Sequence, residues 1–134
     1  MKKMQGFTLI ELMIVIAIPA YQDYTVRAKF SECLNGNAPN KTGYSEFVIS
    51  NGRVPTAIGS FGAAFRSNFC VGTAYASGVL TIANSAGIGQ GLAASDISVQ
   101  LSADTDASNN VIWKCKPTDV TDLDNKYLPA SCRS

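Results

Sequence analysis

The sequence predicts an α+β fold in which one long N-terminal α-helix packs on an antiparallel β-sheet. Two patterns support this prediction. Residues 7–34 join an apolar run to a segment with helical spacing of apolar side chains, and after Cys70 apolar residues recur at every second position in three stretches. A helix and a sheet that are each apolar on one side bury those sides against one another. The 134 residues provide for one domain with a modest core.

The composition argues against catalysis, and the overall charge balance does not indicate a polyelectrolyte partner. The chain has 11 basic and 10 acidic residues, so its formal net charge is +1. It has no histidine, the residue that most often serves as general base and as metal ligand. The sequence shows no nucleophile–base pair, no phosphate-binding loop and no metal-ligand cluster. We therefore expect no enzyme, no cofactor and no metal site.

The N-terminus begins with a short basic segment, residues 1–6, which ends in glycine. An apolar run follows over residues 7–20, interrupted by Glu11 and Pro19. The basic start and the apolar run are typical of a secretory signal, but the residues after the run do not form the usual small-residue cleavage site. The glycine in front of the run is the unusual feature.

An amphipathic helix is predicted from Tyr21 to Leu34. Its apolar side is expected to hold Tyr21, Tyr24 and Ala28, with Val26 and Phe30 nearby. Residues 35–37, Asn-Gly-Asn, are expected to end the helix because asparagine and glycine tolerate the left-handed conformation.

The remaining chain, residues 35–134, has the composition of a small head rich in turns. We expect a further helical turn or two within residues 43–50. Three strands are predicted at residues 79–83, 97–102 and 111–115, where apolar side chains alternate or cluster. The tail from Lys116 to Ser134 is predicted to be loop.

Four cysteines place the chain outside the reducing cytoplasm. The sequence has no C-x-x-C pair of the kind that zinc ribbons and thioredoxin-like sites require, so two disulfides in an exported protein are predicted. Four cysteines allow three pairings, and their spacing does not choose among them. They are Cys33, Cys70, Cys115 and Cys132.

Both ends of the chain resemble type IV pilins. The segment Gly6-Phe7-Thr8-Leu9-Ile10-Glu11 is similar to the prepilin processing motif of these proteins and of type II secretion pseudopilins, and the similarity continues over residues 18–24. Near the other end, residues 113–115 and 126–133 resemble the borders of the disulfide-closed C-terminal loop of type IVa pilins.

This resemblance implies the pilin fold, divided into a leader (residues 1–6), an N-terminal helix (7–34) and the rest of the globular head (35–134). It implies cleavage after Gly6 by a prepilin peptidase and N-methylation of Phe7. The subunit would reside in the inner membrane, and the pilus assembly machinery would then build it into an extracellular helical homopolymer. Adhesion, twitching motility and DNA uptake are the functions expected of such a filament.

Two alternatives remain at this point. A minor pilin or a type II secretion pseudopilin would share the processing motif, although these proteins commonly lack the C-terminal disulfide loop. A disulfide-stapled exported binding module with an ordinary signal peptide would instead have its mature N-terminus near Ala20 and form no filament.

Glu11 has a local and a functional interpretation. With Thr8 it has the spacing of a capping box, in which an N-cap threonine and a glutamate three residues later satisfy the first backbone N–H groups of a helix. The resemblance implies that Glu11 also neutralises the amino terminus of Phe7 on a neighbouring subunit and so sets the axial register. A carboxylate in an apolar helix costs about 2.5–3.5 kcal/mol at the centre of a membrane, which favours a functional reason for its presence.

The resemblance also implies a disulfide pairing and a contact surface. It joins Cys115 to Cys132 around an outward-facing loop, and Cys33 to Cys70. Candidate contacts with DNA phosphates or anionic host glycans lie near the loop, although such charges are more often only solvated. They are Lys114, Lys116, Lys126 and Arg133.

The chain departs from the family in the length of its apolar run. Residues 7–20 span about 21 Å as a helix, whereas a bilayer core is about 30 Å thick. A little over two turns are missing between Ala17 and Pro19 by comparison with family members. If the short run fails to assemble, the head is still expected to fold.

Overall fold

The computed structural model describes Gly6, residues 8–119 and residues 122–133, and its description of residues 122–124 is confined to the backbone. The chain forms helices α1 (Leu9–Gly36), α2 (Ala38–Asn51) and α3 (Asp122–Tyr127) and strands β1 (Ala74–Ala76), β2 (Val79–Ala83), β3 (Ser98–Thr105) and β4 (Val111–Pro117). Short 3₁₀ turns lie at Ile58–Ser60, Ala86–Ile88 and Ala130–Cys132. The predicted α+β class, a long N-terminal helix with an antiparallel sheet, is confirmed.

The four strands form one antiparallel sheet in chain order, β1-β2-β3-β4. The period-two stretches predicted β2, β3 and β4, whereas the three-residue β1 was missed. Ser77 and Gly78, both with positive φ (47° and 86°), form the two-residue turn between β1 and β2. Paired positions keep one face apolar, because Leu80 lies opposite Leu101 and Leu101 opposite Cys115.

Helix α1 packs on the apolar face of the sheet through Val26, Phe30 and Cys33, which are all buried. The predicted apolar side of this segment was therefore only half right. Val26 and Phe30 face the core, but Tyr21 and Tyr24 are 73% and 70% exposed. The two tyrosines thus belong to a different face of the helix from the one that contacts the sheet.

A buried asparagine joins α1 to α2. Asn37 donates from Nδ2 to the carbonyl of Cys33 (2.8 Å) and accepts at Oδ1 from Asn40 Nδ2 (2.9 Å) and Thr73 Oγ1 (2.6 Å). The expected stop at residues 35–37 is correct as a break. However, the helix resumes at once for 14 residues, well beyond the one or two turns predicted. Pro39 lies in the first turn of α2, where a missing N–H costs nothing.

The tail is not the plain loop that the sequence predicted. Helix α3 forms within it and docks on α1: Lys126 Nζ lies 3.0 Å from Asp23 Oδ1, and Arg27 Nε donates to the carbonyl of Lys126 at 2.8 Å. Tyr127 and Leu128 are buried beside these contacts. Polar contacts and apolar burial thus tie the tail to the middle of the long helix.

Four aromatic rings join α2 to the sheet. The Tyr44 ring lies 5.4 Å from Phe61, 6.2 Å from Tyr75 and 5.2 Å from Trp113, measured between centroids. Tyr44 is fully buried, and its hydroxyl has no hydrogen-bond partner among the described residues. Burial first, and the nearby Tyr75 hydroxyl second, raise the pKa of Tyr44 above its ordinary value.

We predict that Tyr44→Phe leaves stability at pH 7 unchanged or higher, since an unsatisfied buried hydroxyl costs about 1–3 kcal/mol. An unfolded tyrosine loses its proton near pH 10, whereas buried Tyr44 keeps it, so the wild-type protein loses stability as the pH rises above about 10. The variant should lose less over that range. Urea unfolding at pH 7 to 11, followed by fluorescence of Trp113, measures both effects.

Tyr75→Phe is the matched control. Tyr75 Oη donates to the carbonyl of Pro55 (2.7 Å) and accepts from the Gly78 N–H (3.0 Å), so its removal should destabilise the protein by about 1–2 kcal/mol. A comparable loss in Tyr44→Phe at pH 7 would show that the Tyr44 hydroxyl is satisfied after all.

Candidate functional site

The N-terminal part of α1 extends beyond the head as an apolar rod, which we define as residues 9–20. Every large apolar side chain from Leu9 to Ile18 is at least 52% exposed. These side chains occupy consecutive positions and so point to all sides of the helix. Helix α1 continues through Pro19 without interruption. No part of the described chain covers the rod, so lipid or other protein molecules must do so.

Two tyrosines lengthen the exposed apolar surface toward the head. Tyr21 and Tyr24, which were expected to face the core, follow the rod and are exposed. The sequence could not place them correctly, because an aromatic residue at helical spacing fits a surface that meets a neighbouring molecule as well as one that meets the core.

The described N-terminal helix contains an 18-residue window that is apolar enough for a membrane-spanning helix by length and composition, and it lies near the N-terminus. Within the described helix, an 18-residue span with at most two charges must run from residue 9 to 26, because any later span in its apolar part also takes in Arg27. This span contains both Glu11 and Asp23. The uncharged stretch between those two acids is therefore short.

Glu11 forms the predicted capping box. The Thr8 side chain accepts from the Glu11 N–H (3.4 Å), and Glu11 Oε2 accepts from the Thr8 N–H (3.2 Å) and the Thr8 hydroxyl (3.1 Å). Both of the bonds to the carboxylate use Oε2, and Oε1 accepts no hydrogen bond from a described residue. The capping box thus leaves one carboxylate oxygen at the tip of the rod for another donor.

The expected processing site lies just before the helix. Gly6 is exposed, and no described atom lies within 4 Å of a Cβ placed on it. Phe7, the expected methylated residue and a partner in assembly, lies outside the described residues. The backbone at Gly6 precedes the N-cap Thr8, so the site of cleavage is not part of the helix.

Two disulfides fasten the head, with the pairing that the resemblance implied. Cys33–Cys70 joins α1 to the segment before β1 with a Cα–Cα distance of 5.6 Å. Cys115–Cys132, with a Cα–Cα distance of 4.7 Å, joins the edge strand β4 to the 3₁₀ turn Ala130–Cys132. The C-terminal loop is thereby closed at its base.

The four candidate contact cations do not form one patch of unpaired charge. Lys114 Nζ lies 2.6 Å from Asp104 Oδ2, which raises the pKa of the lysine. Lys126 pairs with Asp23, with the same effect on its pKa. Arg133 Nε donates to the carbonyl of Leu128 at 2.8 Å. Lys116 is exposed on the same face of β4 as Lys114. Three of the four cations therefore already bond to acceptors of the protein itself.

Within the described residues, no group of three or more histidine, cysteine, aspartate or glutamate side chains is placed to hold a metal ion. The surface that stands out is the rod with its single carboxylate. The sequence identified that rod through its motif, but it did not identify the contacts among Asp23, Arg27 and Lys126 that brace the head at its base.

Comparisons with known proteins place similarity at both ends and in the middle of the chain. Residues 26–133 match a family described as Pilin (bacterial filament), and residues 1–18 match the prokaryotic N-terminal methylation motif. The fimbrial protein EcpC of Eikenella corrodens is 34% identical over 97% of this chain and 91% of its own length. The type IV major pilin protein PilE1 of Neisseria gonorrhoeae is 31% identical over 96% and 87%.

A third relative indicates a difference in length. The type IV pilus subunit protein TapA of Aeromonas hydrophila is 51% identical over 51 aligned positions, which cover 31% of this chain and 36% of the relative. Because 31% of 134 residues is about 42 residues, about nine of the aligned positions have no counterpart in this chain.

We predict that replacing Cys115 and Cys132 together with serine lowers the free energy of unfolding by about 3 kcal/mol, the chain-entropy value for a loop of about this size. Urea unfolding in detergent, monitored through the fluorescence of Trp113, measures the loss. The Cys33–Cys70 bridge is present in both proteins, so the difference between them reports the C-terminal bridge alone. A loss below about 1 kcal/mol would mean that the docking of α3 on α1 holds the loop without the disulfide.

Proposed function

The chain belongs to the pilin family of bacterial filament proteins, and from that premise we propose that its apolar rod is the surface through which copies of the subunit polymerise. The protein is a structural subunit of a type IV pilus. Its apolar N-terminal helix is embedded in the inner membrane before assembly, and the assembled pilus is extracellular. Exposure of the rod on all sides is the observation that carries the proposal.

A surface of this kind suits two successive environments. Lipid tails cover the rod before assembly, and neighbouring rods cover it in the filament. Covering a large apolar side chain is worth roughly 1.5–3 kcal/mol relative to water, so no rod can remain unpartnered in the periplasm. The head needs no such cover, since its own core contains the apolar face of the sheet.

Processing releases the end of the rod. Prepilin peptidase processing and polymerisation follow from the family and from the methylation motif. We place the cleavage after Gly6 and the methyl group on Phe7, and we assign the transfer of the rod out of the membrane to the pilus assembly machinery. The exposed, non-helical backbone at Gly6 supports this position for the cut.

Glu11 sets the register in this proposal. Its free Oε1 accepts the amino terminus of Phe7 from a neighbouring subunit, while Oε2 retains the capping box. An amine and a carboxylate brought together in an apolar filament core stabilise each other, whereas either one alone costs about 3–5 kcal/mol. Axial positions of a subunit at which this amine–carboxylate pair does not form are therefore excluded.

A major pilin is the assignment we favour over a minor pilin or pseudopilin. The C-terminal disulfide loop and the relative named as a major pilin support it. We infer adhesion and twitching motility as roles of the filament. Contact with host glycans or DNA would draw on Lys116 first, because the other three candidate cations bond to the protein itself. A binding module cleaved near Ala20 would lose both Thr8 and Glu11, so the capping box that these residues form would have no use in the mature protein.

We predict that Glu11→Gln abolishes filaments or changes their helical symmetry while the head stays folded. Glutamine keeps the capping box, because its amide oxygen accepts the same bonds, but it removes the charge. Thr8→Ala is the matched control: it removes the hydroxyl of the cap, costing about 1 kcal/mol of helix stability, and keeps the carboxylate.

The yield of filaments sheared from cells, and their symmetry by cryo-electron microscopy, measure the effect. Thr8→Ala should give filaments of unchanged symmetry. Equal loss in both variants would assign Glu11 to capping alone, and normal filaments from Glu11→Gln would contradict a role in register.

A further inference from the structure

We propose that this chain polymerises with copies of itself and is excluded from filaments of longer pilins, because its rod is about nine residues too short to match theirs. This inference rests on the proposed function and goes beyond it. It names the partner that the rod accepts: a second chain with a rod of the same length.

The head shows no sign of the missing residues. Its four strands pair without a gap in register, both disulfides close, and α3 docks on α1. We place the shortfall of about nine positions against the Aeromonas subunit in the rod rather than in the head.

The length of the apolar part of the helix, the rod together with Tyr21 and Gln22, supports this placement. Leu9–Gln22, the stretch from the first helical residue to the residue before Asp23, contains 14 residues and is about 21 Å long. Nine more residues would make it about 34 Å long, enough for a bilayer core of about 30 Å. The missing length would thus be enough to make this stretch an ordinary membrane-spanning helix.

Nine helical residues carry a rotation as well as a rise. They amount to about 13–14 Å along the axis and about two and a half turns. Compared with a pilin whose rod is nine residues longer, the head of this chain therefore lies closer to Glu11 and is rotated about the helix axis by about half a turn. A longer pilin would present its head higher on the filament and with the opposite side outward.

The head cannot rotate to correct this difference. Val26 and Phe30 bury α1 in the core, Cys33–Cys70 bonds the helix covalently to the head, and Lys126 pairs with Asp23 at the base of the rod. The rotational phase of the rod therefore fixes the face that the head presents. If Glu11 takes its register in a filament of longer pilins, this head meets its neighbours with the wrong face.

Copies of this chain do not have that conflict. Rods of equal length bring Glu11, the exposed Tyr21 and Tyr24, and the head into register together. The same short rod thus permits one partner and excludes another, which is how a difference in interface geometry gives specificity.

The test uses Aeromonas hydrophila cells that make their own pili, in which the full chain is produced in three forms. The first is unaltered. The second carries nine leucine and alanine residues between Ile18 and Pro19, and the third carries seven of the same composition. Seven residues restore most of the length but leave the head rotated by roughly 160° from its orientation in the nine-residue form. The third form therefore separates the effect of length from that of rotation. The fraction of each form in sheared pili is measured by mass spectrometry, relative to its amount in the membrane.

We expect the nine-residue form to enter the host pili at least about tenfold more than the other two, since loss of one well-packed contact already costs that factor. Equal entry of the unaltered chain, or no difference between the nine- and seven-residue forms, overturns the inference and leaves the pilin function standing. In cells without the host pilin, the unaltered chain should form filaments alone; their absence would overturn the inference and the proposed function together.

Discussion

An apolar helix surface with no cover in its own chain is the constraint that governs this molecule. The large side chains of the rod point to all sides, so a fold of one subunit cannot bury them. Only two environments remove that surface from water, the interior of a membrane and a bundle of like helices, and both accept the same residues. A subunit that passes from one to the other exchanges equivalent apolar contacts, so it can be stored in the membrane and later built into a filament. The single carboxylate of Glu11 supplies what apolar contacts lack, a preferred position along the axis.

The head and the rod act as one rigid body because they share a helix. Residues 9–20 of α1 are exposed, whereas Val26, Phe30 and Cys33 of the same helix lie in the core. The Cys33–Cys70 bridge and the docking of α3 prevent the head from turning about that helix. The axial and rotational position of the rod therefore also fixes the position of the head at the filament surface. The length of the rod thus determines which face each head presents.

The sequence carried the class of the fold and the identity of the rod, but not the partners of individual side chains. Period-two stretches identify β2, β3 and β4 because one face of the sheet is buried, and the glycine–phenylalanine–glutamate motif identifies the start of the rod. Tyr21 and Tyr24 were assigned to the core because helical spacing shows that a face is apolar without showing what covers it. Helix α2 was underestimated because Pro39 and Gly43 resemble breaks, and α3 because a short polar segment has little periodicity. The Asn37 network depends on Thr73, 36 residues away, a contact that no local pattern contains.

The identity of the N-terminal residue in assembled filaments tests the central claim most directly, because it reports whether the rod itself is what polymerises. Filaments sheared from cells that contain a prepilin peptidase should yield an N-terminal peptide that begins with methylated Phe7 and keeps the rod intact. A mature chain that begins near Ala20, or an intact chain that retains Met1 and stays monomeric and soluble, would contradict the account, since neither could place a processed rod in the centre of a filament.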